Sequence, residues 1–179
     1  MALQLNGTTS VVSHGDLQSL DAPTAFTVCL WCAVNEGAAS VNASIFSKTA
    51  SAATNGFCHI ANNGGIAFKV FIDSAAYFKT SFFPDTAEHH LGVVFNGAGA
   101  ADADRLKCYR DGVNIPADAF GGTIPAVVST SGAAAFLVGN TNLNVFMAGR
   151  FGLLKVWARA LSDREILTEA NSMRPQATG

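Results

Sequence analysis

The chain has 179 residues, a net charge of −2 from 11 basic and 13 acidic side chains, 49% apolar residues and only 13% charged ones. That length suits one domain with a real core, and the sequence has no Lys/Arg cluster for sequence-independent nucleic-acid binding or for anionic membranes, nor an apolar run long enough to span a bilayer. An average soluble domain carries about 25% charge, so Ala, Gly, Ser and Thr must cover much of this surface, which fits either a compact β domain or a face buried in an assembly.

In chain order, the N-terminal MALQLNGTTSVVS lacks a basic region followed by an apolar core. It reads as strands Ala2–Asn6 and Ser10–Ser13 rather than a signal peptide. The expectation is a chain that stays in the cytoplasm where it is made, or one whose leader has been removed. The next run, FTVCLWCAV, predicts a strand over Phe26–Val34. Cys29 and Cys32 sit three apart in it, so alternation sends them to opposite faces and away from a mutual disulfide. A redox Cys-x-x-Cys wants a helix N-terminus and a zinc site wants a second ligand pair. Neither is evident, and Cys58 and Cys108 stand alone, so all four cysteines are read as buried free thiols of a reducing compartment.

Short alternating runs follow at Ala43–Thr49, Gly56–Ala61, Gly65–Asp73, Ala76–Phe82, His89–Asn96, Arg105–Arg110, Val113–Ile115, Ala133–Val138 and Phe151–Arg159. Asp111-Gly112, between CYR and VNI, supplies the positive φ angles of a two-residue type I′ hairpin. A helix is predicted only over Asp163–Met173, opened by Ser162 as N-cap with Glu165 three residues on, a capping box. No repeat of fixed period is visible. These elements predict an all-β, antiparallel two-sheet jelly-roll sandwich with a short C-terminal helix. A single domain is expected over residues 1–173, with a short mobile tail at 174–179.

The closing segment GRFGLLKVWARALSDREILTEAN resembles the last strand and helix of LamG-like, concanavalin A-like jelly-roll domains. In that family the chain reads Gly-x-Ile-Asp-Glu-Val-Arg-Ile-Trp-x-Arg-Ala-Leu-Ser-x-x-Glu-Ile. Gly149, Phe151, Leu154, Lys155, Val156, Trp157, Arg159, Ala160, Leu161, Ser162, Glu165 and Ile166 hold identical or similar residues. The runs His90–Asn96 and Leu106–Gly112 resemble the family's paired central strands and hairpin. LQLNGTTSVVS and FTVCLWCAV resemble its opening pair, with Trp31 at the usual Trp position. Two departures stand out: Glu88 occupies the common Trp position before the His, and Gly152-Leu153 replaces an acidic pair.

Such sandwiches usually bind and rarely catalyse, so the resemblance turns the question from reaction to partner. Glucanases of this architecture set Glu, Asp and Glu alternately on one strand, and no such run exists here. Glu36, Glu88, Glu165 and Glu169 lie at turns or on the helix, so the paired carboxylates of glycoside hydrolysis are missing. A Gly-x-Ser-x-Gly elbow is also missing. His89 and His90 face opposite ways, one packed or hydrogen-bonded inside and the other at the surface; His14 and His59 have no partner spacing. No catalytic residue is therefore assigned.

Calcium is suggested by the resemblance, and the loop Asn96–Asp104 offers Asn96, Asp102 and Asp104. Two carboxylates and one amide fall short of a calcium cage, so no metal or other cofactor is assigned. The loop Gly139–Asn144, with Asn140, Asn142 and Asn144, can bond sugar hydroxyls, but tight turns explain it as well. Trp31 and Trp157 lie at family core positions, which leaves Tyr77 and Tyr109 as aromatic candidates for a sugar platform; the ligand-binding residues stay unassigned. Most of the 13 Phe residues are expected in the core, and in Phe82-Phe83 one ring is expected to face outward. The sequons at Asn6 and Asn42 are read as chance.

Two functional expectations follow. The first is a structural protein of a phage virion, a capsid-decoration or head-surface protein made in the host cytoplasm. It docks as a homo-oligomer or on a shell through small-residue, apolar surfaces. The alternative is an extracellular carbohydrate-binding adhesion module, lectin-like and calcium-assisted, that recognises surface glycans.

Overall fold

The computed structural model of the chain describes residues 3–34, 43–50, 56–60, 68–73, 76–80, 87–140 and 146–172. Among the described residues, thirteen strands form two antiparallel sheets. The six-stranded sheet has the order β1 (Leu3–Asn6), β13 (Ala148–Trp157), β3 (Ala25–Val34), β8 (His89–Asn96), β9 (Leu106–Arg110) and β10 (Val113–Ile115). The seven-stranded sheet has the order β11 (Ala119–Gly121), β7 (Ala76–Thr80), β6 (Phe68–Ile72), β5 (Gly56–Ile60), β4 (Ser44–Thr49), β12 (Ala135–Val138) and β2 (Val12–Asp16). The helices are a four-residue α1 (Asp102–Arg105) and α2 (Asp163–Ser172), with a 3-10 turn at Gln18–Leu20. Among the described residues no helix is long and apolar enough to cross a membrane.

Alternation builds the sandwich. In β3, Phe26, Val28, Leu30, Cys32 and Val34 point inward, where they meet Leu91, Val93 and Phe95 of β8. From the other sheet come Phe46, Val70, Ile72, Phe78 and Phe136. Phe46 and Phe136 stack at 6.0 Å between ring centroids, and Phe26 and Phe95 at 5.5 Å. Burying aromatic area without a polar partner explains the Phe-rich composition.

The intervening residues of the six-stranded sheet face outward, and α2 covers them. Cys29, Trp31, Val94, Tyr109, Leu161 and Ile166 form this second cluster. Cys29 and Cys32 therefore lie on opposite faces, as the spacing predicts, and Cys29, Cys32 and Cys108 are buried free thiols. The helix starts as its sequence dictates. The Ser162 amide donates to Glu165 Oε2 at 2.9 Å, and the Glu165 amide donates to Ser162 Oγ at 3.4 Å. The guanidinium of Arg159 forks onto both carboxylate oxygens, at 2.7 and 3.2 Å. This second grip, with the bonds from Ser162, holds the Glu165 carboxyl down at about 2.

The hairpin at Asp111-Gly112 also forms, with φ of 53° and 82° and Arg110 paired to Val113. Asp111 adds cross-strand bonds, accepting from the His90 amide at 3.0 Å and from His89 Nδ1 at 2.7 Å. Several expectations need correction. The second strand starts at Val12, two residues later than expected, and Arg105 belongs to α1. Strand β11 and helix α1 were not expected, because three or four residues show no period. Gly152-Leu153 falls where the β13–β3 register shifts, and Leu153 projects with 55% exposure, so a bulge occupies the place of the acidic pair. Glu88 sits half-buried ahead of β8 and outside both apolar clusters. The expected tail at 174–179, the Phe82-Phe83 pair, Glu36, the Asn42 sequon, Asn142 and Asn144 lie outside the described residues.

Candidate functional site

The outer face of the seven-stranded sheet is built differently from the helix-covered one. Both helices pack on β8, β9 and β10 of the other sheet. In β6 and β7 the inward residues Val70, Ile72, Ala76 and Phe78 are buried, so period two sends Lys69, Phe71, Tyr77 and Lys79 outward, each half-buried. The register sets Phe71 opposite Tyr77 and Lys69 opposite Lys79. The two aromatic rings lie 5.4 Å apart at 52°, and the Lys69 ammonium sits 4.7 Å from the Tyr77 centroid and 5.7 Å from that of Phe71.

On the next strand Gly121 pairs with Tyr77. A Cβ on Gly121 would collide with the Cε1–Cζ edge of the Tyr77 ring. The phenol therefore lies across bare main chain, and glycine is required there for space. Held by Phe71, Lys69 and Gly121, the Tyr77 ring is pre-positioned, which limits the ordering cost when a ligand lands on it. Of the two tyrosines singled out from the sequence, this is the one on an open face. Tyr109 is only 1% exposed beneath α2 and donates its hydroxyl to Asp163 Oδ1 at 2.6 Å. Burial and that carboxylate push its phenol well above the usual range. Trp31 is 7% exposed under the same helix. Phe71 is missed by treating phenylalanines as core; its signal is the phase of K-V-F-I, opposite to Val70 and Ile72.

The calcium candidates are engaged elsewhere. Asn96 Oδ1 accepts from the Ala98 amide, Asp102 Oδ1 from the Ile124 amide and Asp104 Oδ2 from the Ala101 amide. Arg105 completes this loop, donating to the carbonyls of Gly99 and Ile124 at 2.9 and 2.7 Å. The four-residue α1 is thus a loop brace. Asn140 is buried, and its carbonyl accepts from Ser47 Oγ at 2.8 Å.

An oxygen cage does exist, and the chain fills it itself. Lys48 is fully buried, with Nζ 2.8 Å from Asp16 Oδ1, 3.0 Å from Asp21 Oδ1 and 2.8 Å from the Ala134 carbonyl. Ser131 donates to Asp21 Oδ1 at 3.1 Å. An ammonium thus stands among carboxylate and carbonyl oxygens, the donor set that a hard cation wants. The sequence reading missed Lys48, although a step of two from core Phe46 points it inward.

The histidines separate as alternation requires, one packed inside and the other toward the surface, as expected. His89 keeps some exposure and is the hydrogen-bonded one. Arg110 donates to its Nε2 at 2.7 Å, so its proton lies on Nδ1 toward Asp111. His90 is fully buried edge-on to Trp31 at 5.9 Å, and among the described residues neither of its ring nitrogens has a hydrogen-bond partner, nor does Trp31 Nε1. Burial pulls its imidazole down to about 4. Burial likewise raises the thiols, Cys29 to about 12 with help from Glu169, and Cys32 and Cys108 well above the usual thiol range. These are packing groups, not nucleophiles.

A two-sheet jelly roll with one roofed face and one open, aromatic-bearing face defines a lectin-like β-sandwich domain. The chain belongs to the concanavalin A-like lectin/glucanases superfamily: the Laminin_G_3 family model matches residues 6–167. No curated protein matches it in sequence. Among solved structures it is similar to domain 4 of an extracellular arabinanase from Geobacillus stearothermophilus in complex with arabinotriose. That match has 20% identity, 94% of this chain and 76% of that chain covered, and a TM-score of 0.70. It is also similar to the CBM40 of the Ruminococcus gnavus IT-sialidase bound to α2,3-sialyllactose, at 14% identity, 94% and 96% coverage and a TM-score of 0.66. A third is the heptameric SAP-like pentraxin from Limulus polyphemus, at 16% identity, 93% and 80% coverage and a TM-score of 0.63. At these identities the likeness shows the fold.

Proposed function

We propose that this chain is a non-catalytic glycan-binding module that works outside the cell, with its ligand seated on the open face of the seven-stranded sheet. The observation that carries the reading is the Phe71–Tyr77 pair, fixed across Gly121 on a face that neither helix covers. A sugar ring offers a C–H face that complements an aromatic surface, and a pre-positioned platform binds it at low ordering cost. Two of the similar structures hold sugars, which supports this alternative over docking on a virion shell.

The absence of catalysis rests on where the carboxylates are used. Asp16 and Asp21 hold Lys48, Glu165 holds Arg159, Glu169 holds Lys155 and Asp163 holds Tyr109.

The test is a glycan array followed by calorimetry, comparing the chain with Tyr77→Ala. Binding that survives chelation, and that drops at least about tenfold in Tyr77→Ala at unchanged melting temperature, is the expected result. A flat array, or a Tyr77→Ala variant that binds as well as the parent, overturns the reading.

A further inference from the structure

The open face carries a charge pattern that an aromatic platform alone does not require. Lys69 and Lys79 stand directly opposite each other on β6 and β7. Opposed side chains on paired strands have Cβ atoms about 5 Å apart, and like charges in that position destabilise the pair. Among the described residues neither ammonium makes an ion pair, whereas Lys48, His89, Arg110, Lys155 and Arg159 do. Lys69 is held by the two rings, with its ammonium over Tyr77. The chain as a whole is acidic, at −2, so this is a local positive spot and not part of a general attraction for polyanions.

From this juxtaposition we propose that the ligand is an acidic glycan, one whose sugar bears a carboxylate or a sulfate. As its ring settles on Phe71 and Tyr77 it displaces the Lys69 ammonium from the Tyr77 face toward Lys79, and its anionic group lies between the two ammoniums. This rests on the glycan reading of the same face and adds the class of sugar. An anion between the lysines removes their mutual repulsion. The half-buried setting strengthens the attraction relative to open water. Lysine, as a point charge on a flexible stem, accepts a carboxylate or a sulfate alike.

The probes are matched pairs: lactose against sialyllactose, methyl-esterified against free oligogalacturonate, and desulfated against native heparin oligosaccharide. Each is titrated by calorimetry into the intact chain, Lys69→Met/Lys79→Met and Tyr77→Ala, with melting temperatures confirming that all three are folded. The acidic member of at least one pair is expected to bind at least about tenfold more tightly than its neutral partner. That preference is expected to vanish in the double lysine variant and to weaken as salt rises. Whether the carboxylated or the sulfated pair responds identifies the anion. Neutral and acidic partners binding equally, with Tyr77→Ala still abolishing binding, overturns the acidic proposal and leaves the glycan reading intact. No binding by any probe overturns the acidic proposal, and the array above then decides the broader reading. Acidic probes bound equally by parent and lysine variant also overturn it.

Discussion

The two outer faces of this sandwich are finished in opposite ways. The six-stranded sheet is roofed by α2, and its outward residues Cys29, Trp31, Val94 and Tyr109 are apolar or aromatic and buried with Ile166. Among the described residues the seven-stranded sheet has no helical roof, and β6 and β7 present lysine and aromatic rings half in solvent. The roofed face stabilises the domain through buried area, so its polar groups are quiet: a neutral histidine and an unreactive thiol. The open face contributes less to stability and keeps its side chains available. An aromatic residue thus means a core contact on one sheet and a contact surface on the other, and only the covering element tells them apart.

That contrast breaks most sharply at the buried lysine of β4. Lys48→Met removes the ammonium that neutralises Asp16 and Asp21. Both carboxylates keep part of their hydration, so the cost is expected near the low end of that for a broken buried pair, about 3 kcal/mol, read from urea unfolding. Under the roof, Ile166→Ala is expected to cost about 2–3 kcal/mol while leaving glycan binding on the far face unchanged. Destabilisation accompanied by loss of binding would mean that the two faces are coupled.

The roof also predicts a pH dependence. The His90 imidazole titrates near 4 in the folded chain and near the ordinary 6.5 when unfolded. The unfolded state therefore takes up the proton first. Stability is full above about 6.5 and declines as pH falls toward 4. Asp111 and Glu169 favour the charged ring and Lys155 opposes it, but burial dominates. His90→Leu is expected to flatten melting temperature between pH 7 and pH 5. The capping-box carboxylate of Glu165 acts in a lower window, from about 4.5 down to about 2, and leaves that comparison clear. The smallest effect on stability is expected from Gly121→Ala, under about 1 kcal/mol. The same change displaces the Tyr77 ring and is expected to abolish binding, as glycan titration will show.

Much of this was legible in the sequence. The strand order along the chain, the Asp111-Gly112 hairpin and the Ser162–Glu165 cap follow from local patterns that the structure keeps. The opposite placement of Cys29 and Cys32 is pure alternation. Sequence left two tyrosines as candidates for a sugar platform and could not tell the buried one from the open one, because Tyr77 and Tyr109 sit in similar strands. The choice depends on α2, which folds back onto one sheet only. Lys48 was hidden for a different reason. A lysine in a strand reads as a surface group, and its partners Asp16, Asp21 and Ala134 are remote in sequence. Strand β11 has too few residues to show a period, yet its Gly121 shapes the site.

That Lys48 cage has a consequence for how the domain comes apart. Its contacts span 32 residues to Asp16 and 86 to Ala134, and Ser131 reaches Asp21 across 110. Contacts of that span close large loops, and a contact absent from the folding transition state slows unfolding without speeding folding. The buried ammonium is therefore expected to act as a clasp: Lys48→Met should raise the unfolding rate and leave the folding rate unchanged, as a chevron will show.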